Sequence, residues 1–105
     1  MGEMTDLNSS KLIEAVRIWT GWGLKMFPDR SDDRVVQHLG RDVASKLLPL
    51  IHELNADFHK SDAHSVASTL EEVGRLAAEE FRKKHPSVAE EIVQALAWCY
   101  TYDWK

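Results

Sequence analysis

Apolar residues recur along this chain at steps of three and four, the signature of helices that each bury one side. The longest run is Val36, Leu39, Val43, Leu47, Leu50, Leu54 and Phe58, which winds one stripe along a helix from about Ser31 to His59. Ser31 suits the N-cap, and Asp32 and Asp33 suit the positive end of the helix dipole. Pro49 lies inside the run. It lacks a backbone donor and its ring crowds the carbonyl four residues back, at a cost of ~3 kcal/mol unless the helix bends or restarts. The expectation is therefore a second helix kinked or split near Pro49, with Gly40 as a second, weaker point.

Three further helices complete the pattern. One covers about Ser9 to Thr20, carries Leu12, Ile13, Val16 and Trp19, and ends at Gly21-Trp22-Gly23. Another runs from about His64 to Lys84, burying Val66, Leu70, Val73, Ala77 and Phe81, with Glu71, Arg75, Glu79 and Lys83 as an i,i+4 charge ladder on its solvated side. The last begins after Pro86, where Ser87 and Glu90 have the spacing of a capping box. From Ile92 to Tyr102 no residue is charged, so this segment is expected to run through the middle of the domain. The chain ends WCYTYDWK. In a strand its four aromatics would share one face; on a helix they split into the pairs Trp98 with Tyr102 and Tyr100 with Trp104. A strand would also need a partner, for which GLKMF before Pro28 is the one candidate, so a helix to about Tyr102 is favoured. The expected fold is all-α: a single compact four-helix bundle-like domain over residues 1–105, with 1–8 as a flexible tail.

Composition narrows the function classes. The chain has 105 residues, enough for about one modest core. Its net charge is -4, and the acid excess falls in residues 53–105, with ten acidic groups against six basic ones. A generic nucleic-acid binder needs the opposite sign, because Lys and Arg must displace phosphate counterions. No nucleic-acid partner is expected. The opening MGEMTDLNSS lacks the cationic and apolar regions of a signal peptide, and no segment reaches ~18 uncharged residues, so no membrane span is expected. Cys99 is the only cysteine and has no disulfide partner within the chain, which fits a reducing cytoplasm.

Few residues carry a chemical signature. HELNADFHKSDAH, residues 52–64, gathers imidazoles and carboxylates at a predicted helix junction, making His59, Asp62 and His64 the candidate metal ligands. The stretch opens as a helical zinc-protease motif does, but Ala56 stands where that motif needs its second histidine. Asp29, Ser31 and Asp33 open like a calcium loop, yet Arg34 and Gly40 occupy the positions of its glycine and its bidentate glutamate. Residues 33–51 have the outline of a helix-turn-helix, but the second helix would be too apolar to read bases. Cys99 sits in an uncharged segment where burial raises a thiol pKa, and phosphate loops and nucleophile elbows are absent. No cofactor is implied, and no motif supports catalysis.

Aromatic side chains at element ends remain to be explained. IWTGWGLKMFPDR places Trp22, Met26 and Phe27 in or beside a turn, next to Arg30, and Trp104 lies at the other end of the chain. Such a loop can fold back as a lid on the bundle. It can also anchor a partner, because Trp, Met and Arg are enriched at interfaces. The candidate partner-binding residues are thus Trp22, Met26, Phe27, Arg30 and Trp104. The expected function is a small, soluble, noncatalytic protein-binding module of the inhibitor, immunity or accessory type, acting on another protein or on itself. The alternative is a helical small-molecule or metal binder using the His/Asp cluster at 52–64.

Overall fold

Among the described residues, six helices follow one another in the computed structural model: α1 Ser10–Thr20, α2 Asp32–Leu39, α3 Arg41–Phe58, the single-turn α4 Ala63–Val66, α5 Leu70–Lys84 and α6 Glu90–Asp103. The described residues are 9–23, 26 and 28–103, with the backbone alone for His64. There is no strand among them. The proposed tail 1–8, the GLKMF pairing, Phe27 and Trp104 lie outside the described residues. The molecule is all-α and bundle-like, and no helix among the described residues is long and apolar enough to cross a membrane.

α1 starts and stops where its sequence directs. Ser9 Oγ accepts from Leu12 N at 3.1 Å, and Gly21, in the left-handed region, donates its N–H to Arg17 O. Leu12, Ala15, Val16, Ile18 and Trp19 are buried.

The long apolar run divides at Gly40, not at Pro49. Gly40 has φ 90° and ψ 157°, a region that essentially only glycine occupies, and it turns the chain from α2 into α3. Pro49 lies within α3, which continues to Phe58. The reason is where the missing bond falls: Pro49 and Ser45, whose carbonyl would have been its partner, are both exposed, so water can serve that carbonyl. α2 then packs on both α1 and α3.

A second break separates α4 from α5. Val66 is 69% exposed and Leu70 42% exposed, so both leave the core expected of them. Thr69 is the N-cap that organises this region: its Oγ1 accepts from Glu72 N at 3.1 Å, and Glu72 Oε1 reaches back past it to accept from Ser68 N at 2.9 Å. The box expected at Ser87 and Glu90 does not form. α6 begins at Glu90, whose carboxylate is taken by Arg82 and Gln94 instead.

α6 occupies the middle. It packs on α1, α3 and α5, with Ile92, Val93, Ala95, Leu96, Cys99 and Tyr100 buried. Phe58 of α3 meets Phe81 of α5 at 4.9 Å between ring centroids and Tyr100 of α6 at 5.6 Å, and Tyr100 Oη donates to Ser61 O at 2.7 Å. This aromatic cluster joins α3, α5 and α6 where α3 ends. The molecule measures 42 × 31 × 17 Å. With helices packed 8–10 Å apart, a thickness of 17 Å admits about two layers, so a central helix is flanked by neighbours yet not enclosed on every side.

Candidate functional site

The loop after α1 is tied down through its polar atoms. Asp29 N donates to Thr20 O and Ser31 N to Trp19 O, each at 3.0 Å. Arg34 reaches across from α2, and its guanidinium donates to Ile18 O, Trp19 O and Asp29 O, supplying cationic donors to the last carbonyls of α1. Trp22 is half-buried against the core, with the Arg17 guanidinium 6.0 Å from its ring centre, and Met26 is 87% exposed. Arg30 does not stand free. It forms a two-pronged pair with Asp103 at the end of α6, at 2.9 and 3.0 Å. Of the residues proposed as a partner-binding set, Met26 is open, Trp22 is partly covered and Arg30 is engaged within the chain.

His52 and His59 point to carboxylates on other elements. His52 Nε2 donates to Asp32 Oδ1 at 2.8 Å, and Trp19 Nε1 donates to the same oxygen at 2.8 Å, joining α1, α2 and α3. His59 Nδ1 meets Asn55 O and its Nε2 meets Asp103 Oδ2, both at 2.9 Å. His85 Nε2 donates to Asp57 Oδ2 at 3.0 Å, joining the end of α5 to α3. Three His-Asp bridges thus radiate from α3 and its C-terminal cap. Their carboxylates sit below the ordinary range. For Asp32 the leading cause is the His52 hydrogen bond and for Asp57 that of Lys60, joined by His85; for Asp103, burial pushes upward but the bonds from Arg30 and His59 outweigh it. Of the proposed metal ligands, His59 is aimed at Asp103, Asp62 is exposed, and the His64 side chain is outside the described residues. No group of three His, Cys, Asp or Glu side chains suited to a metal occurs among the described residues.

Cys99 is fully buried, and desolvation pushes its thiol up to about 12. It stays a protonated core side chain at neutral pH, without the thiolate a nucleophile needs.

An apolar groove of ≈ 510 Å³ opens between α5 and α6. Its α5 wall is Leu70, Gly74 and Ala78, and its α6 wall is Ala97, Trp98, Thr101 and Tyr102. On each helix these residues fall three or four apart, so each wall is one helical face. Small residues set the depth of the groove. A Cβ on Gly74 would lie 2.7 Å from Thr101 Cγ2, so the two helices touch there through bare backbone. Thr101 cannot easily turn aside, because its hydroxyl bonds back to Ala97 O at 3.0 Å and Trp98 O at 3.1 Å. Above this floor Leu70 and Tyr102 are 42% and 38% exposed, and Trp98 is half-buried.

The rim is charged and internally paired. Arg75 meets Glu79 at 3.1 Å and Glu72 at 3.7 Å. Arg82 grips Glu90 with both arms of its guanidinium, at 3.1 and 2.6 Å, and Gln94 Nε2 donates to Glu90 at 2.7 Å. These bonds, Arg82 first, hold the Glu90 carboxyl below the ordinary range. Of the predicted ladder Glu71, Arg75, Glu79 and Lys83, all four are exposed and the Arg75–Glu79 pair forms, while Glu71 and Arg75 also line the groove.

Sequence reasoning missed this groove. Its partial signals were Gly74 and Ala78 one turn apart on α5, and the lack of charge on every side of α6, including the side now open.

No protein-family model, curated protein or solved structure matches this chain.

Proposed function

We propose that this chain is a noncatalytic protein-binding module and that it receives its partner in the groove between α5 and α6. The observation that carries the reading is the bare side of α6. Leu70, Trp98 and Tyr102 stay accessible there above a floor of small residues, while the guanidiniums of Arg75 and Arg82 beside them are already paired. Aromatic walls with a polar rim are the layout of a hot-spot region, in which a few desolvated side chains supply most of the affinity. The volume falls in the usual range of ligand-binding clefts. The loop carrying Trp22 and Met26, with Arg30, is a secondary contact in this reading, tied to the same helix through Asp103.

Site-specific photo-crosslinking tests the assignment. A photoreactive side chain at Tyr102 is expected to trap one discrete protein in the cell that makes this chain, whereas the same group at exposed Lys11 on α1 traps none. Leu70→Arg is expected to abolish the Tyr102 adduct without lowering the melting temperature by more than a degree or two, since Leu70 is already 42% exposed. Equal trapping from both positions, or an adduct indifferent to Leu70→Arg, would remove the groove from consideration.

A further inference from the structure

We propose that the occupant of the α5/α6 groove is a cationic amphipathic helix, an inference that rests on the protein-binding reading above. Shape is the first argument. From Leu70 to Arg82 the α5 wall spans twelve residue-to-residue steps, or ~18 Å at 1.5 Å per step, which matches about three turns of a helix laid alongside. Two parallel walls of helical side chains receive a third helix through ridges and grooves, and the matching ligand presents apolar anchors at i, i+3, i+4 and i+7. A strand has no template, because there is no sheet edge among the described residues.

Charge is the second argument, and it selects the partner. Glu71 and the guanidiniums of Arg75 and Arg82 line the groove, and Glu72, Glu79 and Glu90 stand beside it as the partners of those guanidiniums, so four carboxylates gather around two cations. Each guanidinium is already committed to at least one of those carboxylates. Glu71 has no ion pair among those found for the described residues, and it lines both this groove and an adjoining hollow formed with Ser68, Thr69 and Glu72. An incoming Lys or Arg thus meets a surplus of negative charge without displacing an existing pair. The chain as a whole carries -4, which adds long-range attraction for a basic segment. A second copy of this chain is the wrong occupant on the same grounds, since a two-fold contact would set this acidic rim against itself.

Three synthetic helical peptides test the proposal. Each has about 18 residues, long enough to hold a helix in isolation, and the same Leu stripe, with flanks of Lys, Gln or Glu. The intact protein is titrated with each while the Trp98 indole N–H and the Gly74 and Thr101 amides are followed by NMR. The Lys-flanked peptide is expected to shift these signals and to bind at least about tenfold more tightly than the Glu-flanked one, with the Gln-flanked one between. Roughly half a molar added salt should erase most of that spread. Leu70→Arg should abolish binding, and Glu71→Lys should weaken the Lys-flanked peptide while strengthening the Glu-flanked one. Equal affinities, or a preference for Glu flanks, overturn the cationic partner and leave the groove reading intact. If no peptide moves these signals and Tyr102 yields no photo-adduct, the groove reading falls with it. Concentration-dependent dimerisation that Leu70→Arg abolishes would make the occupant a second copy and overturn the proposal.

Discussion

The two sides of α6 differ less in composition than in what the fold does with them. Its inner side, Ile92, Val93, Leu96, Cys99 and Tyr100, is sealed against α1, α3 and α5. Its outer side, Ala97, Trp98, Thr101 and Tyr102, is as uncharged as the inner one and yet forms the wall of an open groove. An uncharged helix in water is expected to be covered all round. Here the molecule is too thin to cover it, and the one side left bare is the side rich in aromatic area. Absence of charge therefore meant two things in one segment, a core on one face and an open, uncharged groove wall on the other.

Substitutions on each side of this helix can sharpen the contrast or break it. The largest effect belongs to the inner face. Leu96→Ala is expected to cost about 2–5 kcal/mol, read from the urea midpoint, because a fully buried side chain is lost and its cavity closes only in part. Tyr102→Ser on the outer face is expected to change stability by no more than about 0.5 kcal/mol. Comparable losses at the two positions would mean that both sides are core.

The boundary between the faces comes next. Gly74→Ala gains helix propensity of about 1 kcal/mol but drives a methyl into Thr101 Cγ2, a clash whose cost is about 1–3 kcal/mol. A net loss near 1 kcal/mol is expected, and Thr101→Ser in the same chain, which removes that methyl, should recover it. A stabilising Gly74→Ala would show that α5 and α6 do not approach this closely.

The smallest effect lies at the end of α6. Asp103 is held below the ordinary carboxylate range, so it contributes stability above that range and loses the contribution as pH falls through its folded value. Asp103→Asn is expected to cost up to about 1 kcal/mol at pH 7, since the pair with Arg30 is partly exposed. The gap between variant and parent should narrow as the pH drops below about 4, measured by denaturant midpoints at several pH values.

Much of the fold was legible because its causes are local. The limits of α1 follow from Ser9 and Gly21, and the burial of one side of α6 follows from eleven uncharged residues. The division of the second run was harder. Pro49 carried the stronger local signal, but its lost hydrogen bond falls on an exposed edge, whereas Gly40 offers a backbone geometry that other residues resist. Ser87 and Glu90 have the spacing of a capping box, but Arg82 reaches Glu90 from the preceding helix, a tertiary fact that spacing along the chain does not encode. The groove was hidden for the same reason: its walls come from two helices, and only their juxtaposition makes it.

The lone thiol of the chain gives the inner face a clock. Cys99 lies at zero exposure with its thiol pushed up to about 12, so a thiol-specific reagent finds nothing to attack while α6 is seated. The rate of alkylation then counts how often that helix lifts away from its neighbours. A ligand settling on the opposite side of α6 would slow the count from the far wall, without ever touching the sulfur.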